Sequence, residues 1–266
     1  MTQLRYVKSA EEVQRAAEAN PEFLNSTVHS IRAVYETDPA VVAAVIPQPL
    51  KPTDRPEVCA TFSNVQIHVS PELTIEIGSA IFGVRAFHDG VEGIYLITMP
   101  MTTEAAVVGG RETYGEPKKL AEIAFRKEGN EVSATVTRMG ITYLEARGTL
   151  GGSLGPREFT EHAYCFKAQP CCEKGRDFDA DPLLVQLDWK HRHETVHAVE
   201  GEVVLRDSPF DPVADLPVRR LVSMEYEEGT TQSNGTVLRS VPGEWLLPFL
   251  HQRYDDPMVR GIEIPG

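Results

Sequence analysis

The sequence has little positive charge and no long hydrophobic run. Lys and Arg number 26 among 266 residues against 39 Asp and Glu, so the formal net charge is −13. Nucleic-acid binding needs a basic face, so this composition argues against that class of function. No apolar stretch reaches the roughly 20 residues of a membrane helix, and the opening residues MTQLRYVKS lack the apolar core of a signal peptide. We therefore predict a cytoplasmic protein with no membrane or nucleic-acid partner.

Cysteine is also scarce. The four cysteines are Cys59, Cys165, Cys171 and Cys172, and none of them forms a C-x-x-C pair. This spacing disfavours a zinc ribbon and a thioredoxin-like redox site. We expect reduced thiols, as is usual in a cytosolic protein.

Strand-like segments dominate the chain. Runs rich in β-branched and aromatic residues are separated by glycine-containing turns, at 28–35, 57–68, 72–86, 92–101, 121–128, 131–138, 141–147 and 183–206. The Glu128-Gly129-Asn130 step predicts a hairpin, and residues 148–155 are predicted to be a loop. These features favour an α+β fold that consists mainly of antiparallel sheet with few peripheral helices.

Helical signals are few and mostly short. Ser9 and Glu12 have the spacing of a capping box and predict a helix over 9–19. Asp38 followed by proline predicts a short helix through Ala43, and Thr103 is a candidate cap for another. Apolar residues at helical spacing predict a C-terminal helix over 244–256, which a proline would kink or split.

One segment is unusual in chemistry. Residues 109–119 read GGRETYGEPKK, so glycines and a proline precede two adjacent lysines, Lys118 and Lys119. Pro117 stiffens the backbone before Lys118. A lysine amine that is buried there becomes a neutral nucleophile at neutral pH, because desolvation disfavours its charged form. The other interpretation is a solvated surface pair, and the spacing does not match a phosphate-binding loop.

This segment resembles the active-site segment of the acetoacetate decarboxylase superfamily, in which G-R-E and a short spacer precede P-K-K. Other segments of this chain are also similar to the family and occur in the family's order, at 34–38, 46–50, 76–80, 90–95 and 211–218. The resemblance covers roughly 27–223. It implies one domain over 1–266 with a cone-like curved sheet and a homo-oligomeric assembly. Residues 1–26, which precede the matched part, are predicted to be an N-terminal helical extension.

The resemblance also implies roles for particular residues. In the family the first lysine of P-K-K forms the Schiff base, and an activated lysine is an established feature of acetoacetate decarboxylase. That role falls on Lys118, with Lys119 beside it and directed to the opposite face. Glu76 matches a family glutamate that can shuttle protons. No metal or separate cofactor is implied beyond the covalent Schiff base.

The sequence departs from the family pattern where substrate is bound. The decarboxylases carry an arginine where this chain has Val28, and a glutamate where 61–63 contains no acid. Tyr114 and Glu116 precede the lysines and are candidates to meet substrate, with Glu116 either a second acid/base or a solvated loop residue. Because the protein is acidic, an oxo-acid substrate needs a locally positive pocket, for which Arg32 is the candidate.

A further pair in the segment is assigned a structural role. Arg111 and Glu112 are predicted to hold the loop through an ion pair with each other.

Three functions remain open. The leading hypothesis is a Schiff-base lyase that acts on a small 2-oxo acid by hydration, dehydration or aldol chemistry through Lys118. The alternative is acetoacetate decarboxylation. The third is a non-enzymatic or metal-binding β-domain, since His191, His193 and His197 have the spacing of ligands on one strand face.

Overall fold

The computed structural model describes residues 4–19, 26–70 and 72–264. Three α-helices are present in this part of the chain: α1 Ala10–Ala19, α2 Pro39–Val45 and α3 Glu104–Thr113. The strands are β1 Ser26–Glu36, β2 Lys51–Pro52, β3 Glu57–Ser70, β4 Leu73–His88, β5 Val91–Met101, β6 Lys118–Leu120, β7 Glu122–Glu128, β8 Glu131–Arg138, β9 Ile141–Ser153, β10 Arg157–Lys167, β11 Leu183–Leu205 and β12 Arg220–Ser240. Short 3₁₀ helices span Val213–Asp215, Gly243–Trp245 and Leu247–Arg253.

All twelve strands belong to one sheet that closes on itself. The order runs β10-β5-β4-β3-β1-β12-β11, and β11 pairs again with β10, so seven strands form a barrel. The remaining order, β9-β8-β7, continues from β11 as a wing. Most neighbours are antiparallel, whereas β5 is parallel to both β10 and β6.

The two faces of the barrel bury different clusters. The interior cluster packs side chains that alternate inward along the strands, including Val34, Cys59, Leu96, Met99 and Trp189. The outer cluster lies between the barrel and the wing, because it joins barrel residues such as Ile31 and Phe62 to wing residues such as Val136 and Leu144. Strand alternation therefore separates the two clusters.

The α+β class with a mainly antiparallel sheet is confirmed. Each predicted strand corresponds to an observed one, and the Gly129 hairpin joins β7 to β8. The capping box is also present, since Ser9 N donates to Glu12 and Glu12 N donates to Ser9 Oγ at 3.2 Å. Of the predicted 1–26 extension, residues 1–3 and 20–25 lie outside the described residues.

Several sequence predictions are corrected. The predicted 148–155 loop is strand to Ser153, because β9 finds a partner in β11. Strands β10 and β12 were not predicted, since their many polar residues obscure the alternation. The C-terminal helix forms as 3₁₀ turns, with Pro248 in the first turn of the last one. No described helix is both long enough and apolar enough to cross a membrane.

Candidate active site around Lys118

Lys118 begins the short strand β6 at the edge of β5. It pairs with Met99, a member of the interior cluster, so its side chain shares the interior face of the barrel. The side chain is 15% exposed. The predicted burial of Lys118 is therefore present in the structure.

The backbone before Lys118 turns sharply. Helix α3 ends at Thr113, and Gly115 just beyond it has φ +77°, a conformation that favours glycine. A Cβ at Gly115 would also lie 2.3 Å from Lys167 Cα. Lys118 N then donates to Glu116 O at 2.7 Å across Pro117. This tight turn brings the side chains of residues 116 and 118 together.

Glu116 forms an ion pair with Lys118 inside the protein. Glu116 Oε2 lies 2.7 Å from Lys118 Nζ, and the Glu116 side chain is 6% exposed. The two side chains pack on Gly110 of α3, where a Cβ would lie 2.3 Å from the carboxylate and 2.7 Å from the amine. The solvated-loop interpretation of Glu116 is thus wrong. The amine therefore has a carboxylate beside it, so its surroundings are not wholly apolar.

Apolar groups surround this pair. The Tyr114 ring packs against the interior cluster and lies against Gly235 of β12. Cys165 Sγ donates to Tyr114 O at 3.2 Å. Burial raises the pKa of the Cys165 thiol well above its usual range, and the nearby Glu116 carboxylate raises it further. Cys165 is therefore a neutral packing group.

Lys119 occupies a separate, buried ionic cluster. Its amine contacts Phe210 O at 3.0 Å, Asp211 Oδ1 at 3.1 Å and Asp255 Oδ1 at 2.8 Å. Arg138 bridges the same two carboxylates. Burial raises the pKa of Asp255, but hydrogen bonds from Arg138 and Lys119 outweigh it and lower that pKa to about 2.

This ionic cluster gives Lys119 a structural environment that differs from that of Lys118. Sequence reasoning missed its other members. Asp211 lies in one of the segments that carry the family resemblance, which was the available signal, whereas nothing local marked Asp255 or Arg138.

Arg111 holds the lysine segment, but not through its neighbour. Its guanidinium donates to Lys118 O at 3.1 Å and to Arg253 O at 3.2 Å. Arg253 in turn donates to Gly115 O at 2.6 Å. The predicted ion pair is corrected, because Glu112 lies on the exposed side of α3 and contacts Arg111 in no ion pair among the described residues. Helix geometry places adjacent residues about 100° apart, which separates the two side chains.

Arg32 points into the barrel and is already paired. It donates both terminal nitrogens to the Glu161 carboxylate, and both side chains are largely buried. Burial raises the pKa of Glu161, but the hydrogen bonds from Arg32 outweigh it and the pKa is lowered. The structure therefore brings Arg32 to the interior face as a neutralised pair rather than as a free cation.

Glu76 lies apart from this constellation. It is exposed on β4 and accepts a hydrogen bond from Asn64. Ile77 and Ile81 pack against the interior cluster, so the alternation of β4 turns Glu76 to the opposite face. The glutamate that the resemblance identified therefore precedes by one residue a β4 position whose side chain faces the interior.

The three histidines do not form one site. The His191 ring stacks on Phe159 and the His193 ring meets Phe159 edge-on inside the barrel. Burial lowers the pKa of His191 to about 4. His197 follows a bulge in β11 and contacts Gly151 O at 3.2 Å. Within 4–19, 26–70 and 72–264, no group of three or more His, Cys, Asp or Glu has a metal-binding arrangement.

Two relatives are similar in sequence. Acetoacetate decarboxylase 1 of Bradyrhizobium diazoefficiens is 38% identical over 217 residues, which cover 76% of this chain and 81% of that protein. The CLA biosynthesis isomerase of Lactiplantibacillus plantarum is 36% identical over 121 residues, 44% of this chain. The match spans only 42% of the isomerase.

Solved structures share the fold. An acetoacetate decarboxylase of Legionella pneumophila has a TM-score of 0.70 at 17% identity, covering 90% of this chain and 99% of the other. The enduracididine biosynthesis enzyme MppR, complexed with pyruvate, also has a TM-score of 0.70, at 15% identity over 83% and 92% of the two chains. The sequence model of the family described as acetoacetate decarboxylase (ADC) matches residues 9–241. This chain therefore belongs to the acetoacetate decarboxylase family.

Proposed function

We propose that this protein is a Schiff-base lyase that acts on a small 2-oxo acid. Lys118 is the nucleophile and Glu116 is the acid/base that serves it. The observation that carries this proposal is the 2.7 Å contact between Lys118 Nζ and Glu116 Oε2 inside the barrel. A carboxylate at hydrogen-bond distance from an amine has the geometry that general acid–base catalysis needs.

The first stage forms the imine. Glu116 takes a proton from the Lys118 ammonium, and the free amine attacks the ketone carbon of the substrate. One proton of the attacking amine and the proton held by Glu116 both pass to the ketone oxygen, which leaves as water. The product is an iminium ion whose positive nitrogen draws electrons from the neighbouring bonds.

The second stage uses the iminium as an electron sink. Glu116, again a carboxylate, removes a proton from the carbon next to the iminium and leaves an enamine. A hydroxyl group two carbons from the imine carbon then departs with the proton held by Glu116, as water. The reverse sequence adds water, and addition of the enamine to an aldehyde gives the aldol product.

Two considerations favour a 2-oxo acid. Val28 and the acid-free 61–63 segment replace an arginine and a glutamate that the family resemblance associates with the β-keto carboxylate. Among proteins of the same fold, MppR is described in complex with pyruvate and with a condensation product of pyruvate and an aldehyde. The homo-oligomeric assembly implied by the resemblance stays a prediction.

Acetoacetate decarboxylation is the second candidate. It is favoured by the relative from Bradyrhizobium diazoefficiens, which is named for that activity and aligns over 81% of its own length. The same iminium accepts the electrons of a departing carboxylate. Carbon dioxide release from acetoacetate, measured beside water loss from a 4-hydroxy-2-oxo acid, separates the two candidates.

Borohydride trapping tests the shared step. We expect pyruvate and borohydride to leave a stable adduct that peptide mass mapping places on Lys118. Lys118→Arg should abolish it, while Lys127→Arg, a change on the β7 wing strand, should not. An adduct at another lysine, or turnover that survives Lys118→Arg, would show that Lys118 is not the nucleophile. Trapping with acetoacetate but not with pyruvate would favour decarboxylation.

A further inference from the structure

Three serines form a row across the interior of the barrel. Ser30 of β1 pairs with Ser63 of β3, and Ser63 pairs with Ser79 of β4. Each serine lies an even number of residues from a member or neighbour of the interior cluster on its own strand, so its side chain shares the interior face. Each is buried, at 5%, 8% and 8% exposure. Hydroxyl groups that are buried on this face are costly unless something uses their hydrogen bonds.

The row ends on β4, two strands away from β6, which carries the lysine. Ser79 pairs with Met101 of β5, and Lys118 pairs with Met99 on the other side of β5. Two strand spacings and a two-residue offset put the Cα atoms of Ser79 and Lys118 roughly 12 Å apart. The side chains of Lys118 and Ser79 both start on this face, which shortens the gap that a bound substrate must span. The few atoms between an imine nitrogen and a carboxylate can fill the rest.

The three hydroxyl groups carry more hydrogen-bond donors than they use among the residues that the structure describes. Ser30 Oγ and Ser63 Oγ are 2.8 Å apart, so one proton joins them and the other is free. The Ser79 hydroxyl makes no side-chain hydrogen bond to any residue that the structure describes, although the residue is more than nine-tenths buried. Each serine hydroxyl carries one donor. With Ser30 as the donor to Ser63, the hydroxyl protons of Ser63 and Ser79 remain free on the adjacent strands β3 and β4.

The charged groups of the same face are already satisfied. Arg32 is bound by Glu161, and Glu227, which pairs with Ser30 in register, is bound by Arg157. Neither Arg32 nor Arg157 therefore has a free guanidinium that could bind a substrate carboxylate. One member of the row, Ser63, lies in the 61–63 segment where the family resemblance expects a glutamate.

We propose that the row of Ser30, Ser63 and Ser79 binds the carboxylate of the substrate. The inference rests on the proposed function, because it assigns a partner for the 2-oxo acid at that same site. Two hydroxyl donors match the two oxygens of a carboxylate, and hydrogen bonds to an ionised acceptor are the stronger kind. The iminium at Lys118 supplies the compensating positive charge. These serines set specificity for an acid over a neutral ketone.

The test compares pyruvate with acetone, a ketone that lacks the carboxylate. In borohydride trapping, Ser63→Ala and Ser79→Ala should each raise the half-saturating pyruvate concentration about ten-fold or more. Acetone trapping should stay within two-fold of the wild type, which also shows that each variant is folded. Ser133→Ala, on wing strand β8, is the matched control and should change neither value.

A second measurement separates this inference from the proposed function. Lactate keeps the carboxylate but cannot form an imine, and its binding is measured by calorimetry. The wild type should bind lactate, and Ser79→Ala should weaken binding about ten-fold or more, whether or not Lys118 is trapped. Loss of trapping with serine-dependent lactate binding would refute the proposed function alone. Absent lactate binding, or equal effects on pyruvate and acetone, would overturn the serine assignment.

Discussion

The two residues of the ion pair in the candidate site, Glu116 and Lys118, are only two positions apart in the chain. Glu116 and Lys118 meet because Pro117 and the turn across it direct both side chains to the barrel interior. A buried carboxylate beside a lysine stabilises the ammonium, yet it is also the base that can remove its proton. The pair therefore combines ground-state pairing with a route for proton transfer.

Glu116→Gln tests that route. The amide keeps the size of the side chain but cannot accept the proton, so we expect turnover to fall by about 10²–10⁴-fold. Steady-state kinetics measure the fall, and a thermal melt checks the fold. Glu112→Gln, which changes an exposed acid on α3, is the control and should leave turnover unchanged. Full activity in Glu116→Gln would exclude Glu116 as the acid/base.

Gly110→Ala tests the packing of the pair. The added Cβ would lie 2.3 Å from Glu116 Oε2 and 2.7 Å from Lys118 Nζ, so both groups must shift. Because misplacement of about 1 Å can cost 10²-fold in rate, we expect trapping at Lys118 to slow by at least ten-fold. Gly109→Ala is the control, since its Cβ would meet nothing within 4 Å. Similar trapping rates in the two variants would contradict this packing.

At the scale of elements, one buried ionic cluster joins four parts of the chain. Lys119 of β6, Arg138 of β8, Asp211 before the first 3₁₀ helix and Asp255 after the last one share two carboxylates and two cations. The cluster ties the C-terminal segment to the strand that carries Lys118. We assign it a structural role because it joins distant parts of the chain, and not because any one of its contacts is short.

Asp211→Asn should destabilise the protein strongly. Its side chain is 1% exposed and contacts both Lys119 and Arg138. Removal of one partner of a buried ion pair leaves an uncompensated charge, which typically costs about 3–5 kcal/mol. Urea unfolding measures the free energy, and exposed Asp207→Asn is the control. A loss equal to that of the control would mean that the cluster contributes little.

The acid response belongs to the whole molecule, because Asp255, Glu161 and Glu227 all have lowered pKa values in the folded state. Burial raises each of these pKa values, and hydrogen bonds outweigh it, from Arg138 and Lys119 to Asp255, from Arg32 to Glu161 and from His193 to Glu227. The folded pKa of Asp255 is about 2, below the unfolded value of about 3.9. Its contribution to stability is therefore present above about pH 4 and is lost as the pH falls towards 2.

Melting temperatures between pH 6 and pH 2 measure this response. We expect a steep fall for the wild type below about pH 4 and a shallower one for Asp255→Asn, which has no carboxyl to protonate. Asp256→Asn, the exposed neighbour, should follow the wild type. Parallel curves for Asp255→Asn and the wild type would show that Asp255 is not linked to folding.

Much of the architecture follows from local pattern. The strands that alternate cleanly, the Gly129 hairpin and the capping box of Ser9 and Glu12 were predictable, because each depends on residues within a few positions. Strands β10 and β12 were not, because their inward positions hold charged residues such as Arg157, Glu161 and Glu227. Those residues are acceptable inside only because other strands bring them partners.

The sequence by itself determined the family and the presentation of Lys118, since Gly115, Pro117 and the adjacent lysines act over a few residues of backbone. Only the tertiary structure decided what surrounds that lysine. Closure of β10 on β11 makes the face of Lys118 an interior, and Asp211 lies 92 residues from Lys119 in the chain. Strand alternation places the Glu76 side chain on the outer face of β4 and the Ser79 side chain on its inner face. Such contacts depend on register and closure, which no local pattern encodes.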